Sequence, residues 1–248
     1  MDTVCLALQD LTKNFGGLTA VDHVDLEVKA GERRGIIGPN GAGKTTLFNL
    51  ICGEFPPSGG RIVHFGKDVT RIPAHKRIAL GIARTFQITN LFPNLTVLQN
   101  VLLAAQGLER TKYVMYLPIS SFNHLYEKSK SRLEEVELWE KRDALIKNLS
   151  HGDQRQIEVC LALIGQPRLL LLDEPTAGLS PAETLSFTTM LKKLDRDMTI
   201  LLIEHDMDVA FEFAENITVL HQGGLIASGT KEDIKANKTV QEIYLGME

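Results

Sequence analysis

The sequence is poor in the features that mark disulfide-rich, zinc-binding and membrane-spanning proteins. Its three cysteines among 248 residues, Cys5, Cys52 and Cys160, form neither a CxxC pair nor a Cys/His cluster. This excludes a disulfide framework and a zinc site, and we expect small buried thiols in a reducing compartment. The longest apolar run, Val159–Ile164, is far below the ~18 residues of a membrane-spanning helix. Met1–Thr3 has no basic segment, so we expect no secretion signal.

A basic excess is also absent. Lys and Arg number 27 and Asp and Glu 31, which gives a net charge of −4. Nucleic-acid-binding proteins usually carry a positive surplus, so we expect no nucleic-acid partner. The apolar fraction of 44% and the charged fraction of 23% are those of a globular chain. There is neither an internal repeat nor a low-complexity tract, and the length predicts one or two domains.

Hydrophobic periodicity predicts an open α/β sheet with a β-rich first segment and a helical insert. Val24, Leu26 and Val28 alternate with charged residues, which is typical of a half-buried strand. Residues 88–149 are mostly helical in pattern, although 106–124 show no clear period. The other predicted elements are strands at 33–37, 169–172 and 199–203, a helix at 44–52, and hairpins at 61–69 and 217–227.

A glycine-rich loop carries the strongest chemical signal. Residues 38–45, GPNGAGKT, fit the pattern GxxxxGK[ST] and lie between a predicted strand and a predicted helix. Glycines let successive amides point at phosphate oxygens, and the helix N-terminus faces the same anion. Lys44 would reach the β- and γ-phosphates, and Thr45 would offer its hydroxyl to Mg²⁺. The alternative is a turn that merely links strand to helix.

Two adjacent carboxylates follow a buried strand in the run LLLLDE, residues 169–174. Since side chains alternate along a strand, Asp173 and Glu174 are expected to point in different directions. We assign Asp173 to Mg²⁺ and Glu174 to polarising the attacking water. A simple turn at the end of the strand is the alternative.

A second helix N-terminus that could bind phosphate is predicted at residues 149–154, LSHGDQ. These residues precede a helix with apolar residues at i, i+3, i+4 and i+7. Ser150 and Asp153 form an S-x-x-D start, a variant of the capping box. Gly152 would let an anion approach the helix backbone closely. A purely structural N-cap is the alternative.

The same segment resembles the LSGGQ-type signature of ABC ATPases, and the order of elements matches that family over nearly the whole chain. The resemblance implies a P-loop NTPase (RecA-like) fold: a mostly parallel α/β sheet core, an N-terminal antiparallel β subdomain and an inserted α-helical subdomain. It implies one ABC ATPase domain over residues 1–248. In that domain 1–87 and 155–248 would form the core with its β subdomain, and 88–154 the helical subdomain.

The resemblance also implies a role for each matching residue. Phe15 would stack on adenine, Gln87 would be the Q-loop glutamine, and His205 the switch histidine; plain core, surface and structural roles are the alternatives. The expected nucleotide-binding residues are Phe15, Gly38, Pro39, Asn40, Gly41, Ala42, Gly43, Lys44, Thr45 and Thr46. The metal would be held by Thr45, Gln87 and Asp173, and the catalytic residues would be Glu174, His205 and Gln87. The signature residues Ser150, His151, Gly152, Asp153 and Gln154 would act in trans, and Gly178, Leu179 and Ser180 would form the D-loop.

Three residues depart from the family pattern. His151 stands where the commonest form of the signature has glycine, and Asp153 stands where it has glycine or glutamine. Ser180 replaces the usual D-loop aspartate. Asp153 brings a negative charge toward a phosphate site, so we expect its side chain to turn away from the anion. The serine puts a carboxylate role in the D-loop in doubt.

Within the family, the chain is most similar to the ATP-binding subunits of importers for branched-chain or other hydrophobic amino acids. That likeness rests on residues 81–87, 90–92, 96–97, 204–207 and 244–246 and on the long insert. It implies ATP and Mg²⁺ bound at a head-to-tail dimer interface, and hydrolysis that drives uptake. Expected partners are membrane permease subunits, a second ATP-binding subunit, identical or a sister, and, through the permease, a solute-binding protein.

The resemblance implies a cytoplasmic location, peripheral on the inner face of the cell membrane. Two alternatives stay open, the ATPase of a lipid or lipopolysaccharide exporter and a non-transport ABC module. The second is disfavoured because the chain has no sustained heptads and a negative net charge. The insert and the residues Asn90–Phe92 count weakly against the first.

Overall fold

A computed structural model describes residues 3–85, 91–109 and 122–245. The chain divides into two compact units. The first, called the core unit here, contains residues 1–84, 168–175 and 195–248. The second, called the helical unit, contains residues 85–167 and 176–194. The described parts of the predicted insert, 88–154, fall in the helical unit, which also includes 155–167 and 176–194.

The core unit contains an antiparallel sheet built by the first segment of the chain. Its spatial order is β2-β1-β4-β5, and every neighbouring pair is antiparallel. Val24, Leu26 and Val28 are buried while the residues between them are exposed, so the predicted alternation is confirmed. The strands are β1 (Val4–Phe15), β2 (Leu18–Lys29), β4 (Gly59–His64) and β5 (Lys67–Asp68).

The second sheet of the core unit is the predicted, mostly parallel one. Its order is β10-β9-β3-β8-β7-β6, and only the pair β9–β10 among these neighbours is antiparallel. The predicted strand bounds at 33–37 and 199–203 are confirmed to the residue. The strands are β3 (Arg33–Ile37), β6 (Ile82–Arg84), β7 (Leu169–Asp173), β8 (Thr199–Ile203), β9 (Asn216–His221) and β10 (Gly224–Thr230).

Both units contain helices. The core unit has α1 (Lys44–Cys52), α2 (Ala74–Ile78), α7 (Met207–Phe213), α8 (Lys231–Ala236) and α9 (Lys238–Leu245). The helical unit has α3 (Val97–Gly107), α4 (Asn123–Glu135), α5 (His151–Leu163), α6 (Pro181–Lys193) and short 3-10 helices at Trp139–Lys141 and Ile146–Asn148. No helix within the described ranges is long and apolar enough to span a bilayer.

Helix α1, which follows the glycine-rich loop, is held firmly at its C-terminal end by a buried arginine. Arg77 is 1% exposed, and its guanidinium donates at 2.7 Å each to the carbonyls of Leu50 and Ile51. Further bonds go to the carbonyls of Ile72 and Thr70, at 2.7 and 3.1 Å. A cation at this end satisfies carbonyls that the helix itself leaves open and opposes the negative pole of the helix.

The three thiols are free and buried, as expected from the sequence. Burial raises the pKa of Cys5 to about 11 and that of Cys52 to about 12. It also raises the pKa of Cys160, which lies on the buried face of α5. The thiols therefore stay protonated at neutral pH and act as small apolar groups.

Candidate nucleotide-binding site

Three strands of the parallel sheet bring the predicted catalytic segments to one edge of the core unit. In the register of the sheet, Ile203 of β8 pairs with Ile36 of β3 and with Asp173 of β7. The glycine-rich loop follows β3. Asp173 ends β7 and Glu174 follows it, and His205 lies two residues after the end of β8. Because the carboxyl ends of parallel strands meet at one edge, these groups lie together where open α/β sheets bind ligands.

The glycine-rich loop needs glycine at two of its positions. A Cβ on Gly38 would lie 2.3 Å from the carbonyl oxygen of Leu220, and one on Gly43 would lie 2.4 Å from that of Ala20. Gly43 also has a φ of 100°, which side-chain-bearing residues rarely adopt. Gly43 is the N-cap of α1, which has neither a side-chain cap nor an acidic residue in its first turn. The first amides of α1 are therefore suited to an anion.

The side chain of Lys44 folds back onto the glycine-rich loop that precedes it. Its ammonium donates to the carbonyls of Gly38 at 2.7 Å and Pro39 at 3.1 Å. Burial lowers the pKa of Lys44, and the nearby carboxylates of Glu174 and Asp173 oppose that shift. The two loop carbonyls thus hold the ammonium in place, and a phosphate oxygen could replace either of them as the acceptor of its hydrogen bonds.

Asp173 is buried and paired with an arginine. Its Oδ2 lies 2.5 Å from a guanidinium nitrogen of Arg84, and that guanidinium also bonds the side chain of Asn49 on α1. The other oxygen, Oδ1, is buried and has no hydrogen-bond partner among the residues that the structure describes. No cluster of three or more metal-ligating His, Cys, Asp or Glu side chains occurs in the described part of the chain. A carboxylate oxygen without a partner near a glycine-rich loop suited to an anion fits Mg²⁺, which is usually held by one or two carboxylates together with substrate phosphates.

Glu174 does not continue strand β7, contrary to the expectation from the sequence. Strand β7 ends at Asp173, and Glu174 has a φ of 47°, in the left-handed region. Its amide donates to the carbonyl of Ile203 at 3.0 Å. The direction of the Glu174 side chain is therefore set by a backbone turn, and the alternation expected of a continuing strand does not apply. Such a conformation in a non-glycine residue is typical of functional sites.

Two further predicted site residues of the core unit, Phe15 and His205, lie at its surface. Phe15 is 47% exposed and packs edge-on against Phe55, with ring centroids 5.4 Å apart. The side chain of His205 is 58% exposed, and its Nδ1 lies 3.9 Å from an oxygen of buried Glu204. Gln87 lies outside the described residues, so its predicted role stays a prediction.

The signature segment begins α5 in the helical unit. The hydroxyl of Ser150 accepts a bond from the Asp153 amide at 3.1 Å, so the predicted N-cap is confirmed. The prediction of the reciprocal bond, from the Asp153 carboxylate back to the N-cap amide, is wrong, because both Asp153 carboxylate oxygens lie 2.7 Å from Nζ of Lys141. The amide of Gly152 donates to Oε1 of Glu183 at 3.1 Å. Within the unit, this helix end is thus already capped by a hydroxyl and a carboxylate.

The predicted D-loop leads into α6. Gly178 has a φ of 80°, and the amide of Leu179 donates to the carbonyl of Thr176 at 3.1 Å. Ser180 is the N-cap of α6 and forms a full capping box with Glu183. Where the family has an aspartate, this chain has a helix-capping serine.

Sequence reasoning missed three residues that shape these sites. Glu183 follows Ser180 in an S-x-x-E pattern, a capping-box signal that was available. Arg84 and Lys141 carry no such signal, because their partners Asp173 and Asp153 are 89 and 12 residues away.

Comparison with known proteins agrees with this geometry. Residues 21–177 match the family model described as ABC transporter. The high-affinity branched-chain amino acid transport ATP-binding protein BraF of Pseudomonas aeruginosa is 38% identical over 253 residues, with 99% of each chain covered. The lipopolysaccharide export system ATP-binding protein LptB of Escherichia coli is 31% identical, with 97% of each covered. A crystal structure of MJ1267, an ATP-binding cassette in its ADP conformation, superposes with a TM-score of 0.88 at 32% identity, covering 98% of this chain and 99% of that one.

Proposed function

Because this chain belongs to the ABC transporter family of ATP-binding proteins, we propose that it is the ATPase subunit of an importer for branched-chain or other hydrophobic amino acids. Two findings of different kinds support this. The structure has the glycine-rich loop, Asp173 and Glu174 at one edge of a parallel sheet. The solute class rests on the full-length similarity to BraF.

The phosphates of ATP would lie on the first turn of α1, which has no side-chain cap of its own. There the ammonium of Lys44 would exchange its bonds to the Gly38 and Pro39 carbonyls for bonds to β- and γ-phosphate oxygens. Phe15, half exposed at the end of β1, would stack on the adenine ring. The exchange keeps the buried ammonium paired in both states, which limits its desolvation cost.

Thr45 and Asp173 would hold Mg²⁺, with Gln87 as a further ligand. When bound, this ion neutralises charge on the phosphate oxygens and orients them. Arg84 keeps the Asp173 carboxylate in place and leaves Oδ1 available. The Glu174 carboxylate would accept a proton from the attacking water, and the exposed His205 imidazole would donate a hydrogen bond to the γ-phosphate.

A second ATPase subunit would complete the site. We propose that Ser150–Gln154 of one subunit bind the γ-phosphate held by the other, in a head-to-tail pair in which the D-loop residues Gly178–Ser180 line the shared interface. Loss of the bridging phosphate on hydrolysis would let the subunits part and shift the population of states. The pair would sit on membrane permease subunits at the inner face of the cell membrane, and a solute-binding protein would reach it through the permease.

The test is uptake combined with purification. In the host organism, deletion of the gene is expected to abolish uptake of radiolabelled leucine, and the wild-type gene is expected to restore it, whereas one encoding Glu174→Gln is not. Affinity purification from native membranes should retrieve permease subunits. Normal uptake of leucine, isoleucine and valine in the deletion strain would contradict the proposed solute class.

A lipid or lipopolysaccharide exporter is the second candidate, favoured by the similarity to LptB. It predicts that the deletion strain takes up amino acids normally but accumulates lipid or lipopolysaccharide in the inner membrane. The two candidates share the ATP site and differ in the permease that copurifies. A non-transport ABC module would instead copurify with ribosomes or DNA.

A further inference from the structure

The signature segment has a negative charge where the proposed function needs an anion to bind. Asp153 is the third residue of α5, in a first turn whose amides favour anions. A carboxylate at this position commonly bonds back to the N-cap amide. Here it turns to Lys141 instead, with Nζ 2.7 Å from both carboxylate oxygens.

Lys141 lies in a hydrogen-bonded backbone turn, which fixes the position of its Cα atom. It ends the 3-10 helix Trp139–Lys141, its amide donates to the carbonyl of Leu138 at 3.0 Å, and its own carbonyl accepts from Ala144 at 3.0 Å. The side chain of Lys141 is 50% exposed and that of Asp153 is 15% exposed. The aspartate is thus largely covered while the lysine stays in contact with solvent.

Folding stability alone does not single out this pair. Ion pairs that include a solvent-exposed lysine usually contribute little to stability. Lys193 and Glu137, also in the helical unit, form such a pair at 2.5 Å with side chains 59% and 55% exposed. What distinguishes Lys141 is the place of its partner in the first turn of α5. Since Glu183 already puts one carboxylate on the Gly152 amide, an unpaired Asp153 would give that turn a second negative charge.

We propose that Lys141 is a positioning residue for ATP binding in trans. It holds the Asp153 carboxylate away from the helix end and neutralises it, so that the γ-phosphate of a nucleotide held by a second subunit meets one negative charge fewer at the Ser150–Gly152 turn. The proposal rests on the proposed function, because it needs that trans contact. It also gives a physical reason why an aspartate is tolerated in this signature: the lysine removes the repulsion between like charges.

The experiment uses the full chain with Glu174→Gln as the parent, because slowed hydrolysis should preserve the ATP-bound pair. ATP-dependent dimerisation is measured by analytical ultracentrifugation in low salt. Lys141→Met keeps an unbranched stem without the charge, and we expect it to weaken the dimer about tenfold. Raising the salt to about 0.5 M should shrink that difference, since screening reduces charge repulsion.

Two variants separate positioning from a structural role. Adding Asp153→Asn to Lys141→Met should restore dimerisation, and Lys141→Arg should retain most of it. The affinity of the monomer for ADP should be unchanged in Lys141→Met, because ADP would bind to the glycine-rich loop of the core unit. The melting temperature should change little, because the side chain of Lys141 is half exposed. Lys193→Met, which breaks a matched pair elsewhere in the helical unit, is the control and should dimerise like the parent.

Each outcome decides between the proposals. If Lys141→Met dimerises like the parent, or if the double variant is as defective as Lys141→Met alone, the role of Lys141 is overturned while the proposed function stands. If the parent itself stays monomeric with ATP, two copies of this chain do not form the proposed pair, and the inference about Lys141 fails with that pairing.

Discussion

The carboxylate of Glu183 accepts a hydrogen bond from the amide of Gly152, with 3.1 Å between Oε1 and the nitrogen. Its other oxygen accepts from the amide and the hydroxyl of Ser180, at 3.0 and 2.8 Å. One side chain therefore joins the first turn of α5 to the first turn of α6. These bonds, those from Ser180 first, lower the pKa of Glu183 from 4.5 to about 2.

This relationship predicts an acid-dependent loss of stability. A carboxyl group whose pKa is lower in the folded than in the unfolded state contributes its full stabilisation at pH values above the unfolded pKa. That contribution is lost as the pH falls toward the folded pKa. Glu183→Gln should therefore melt below the wild type at neutral pH, and the gap should close as the pH falls from 4.5 toward 2. Thermal melts of both proteins across this range measure it. A gap that stays constant with pH would contradict the prediction.

The pair Arg84–Asp173 should be important for folding. The two side chains are 10% and 0% exposed, and removal of one partner of a buried pair leaves an uncompensated charge. Arg84→Met should lower the free energy of unfolding by about 3–5 kcal/mol, measured by urea denaturation. Arg84→Met combined with Asp173→Asn should recover part of the loss. The exposed pair of Lys193 offers the control, since Lys193→Met should cost less than about 1 kcal/mol.

Glu174→Gln should separate binding from hydrolysis. The amide cannot accept a proton from water at neutral pH, so we expect phosphate release to fall about 10²- to 10⁴-fold while ATP still binds. Radiolabelled ATP binding and phosphate release are measured on the same protein. Glu27→Gln, at an exposed position of β2, is the matched control and should keep full activity. A fully active Glu174→Gln protein would remove the assignment of this carboxylate as the general base.

Lys44→Ala should abolish nucleotide binding, because the loop loses the ammonium that would pair with β- and γ-phosphate oxygens. The carbonyls of Gly38 and Pro39 lose a donor as well, so a small drop in melting temperature is expected. Fluorescence titration with a labelled ATP analogue measures affinity, and circular dichroism checks the fold. Lys67→Ala, on the exposed edge strand β5, should bind like the wild type. Unchanged affinity in Lys44→Ala would exclude this loop as the phosphate site.

The sequence was sufficient for elements whose signal is local. The strand at 33–37 and the helix at 44–52 were predicted to the residue, because the glycine-rich loop between them marks the end of the strand and the start of the helix. The register that brings Ile36, Ile203 and Asp173 into one row follows from the parallel sheet, which was also predicted.

Long-range pairings were not predictable in the same way. No local sequence pattern predicts that Arg84 pairs with Asp173. None predicts that the Asp153 carboxylate bonds Lys141 instead of the first turn of its own helix. The capping box predicted for Ser150 failed because a cation from another turn bonded the carboxylate. The positive φ of Glu174 was missed for a similar reason: a backbone bond to Ile203 on the neighbouring strand accompanies the turn.

The burial of Cys5, Cys52 and Cys160 makes the natural chain a ready background for sulfhydryl-directed probes. At neutral pH these groups hold almost no reactive thiolate, so a maleimide should leave them unmodified. Asn40→Cys in one subunit and His151→Cys in another, both at exposed positions, would then be the sites that a bifunctional reagent joins. The distance between two copies in the presence of ATP can be measured with such reagents without first replacing any native cysteine.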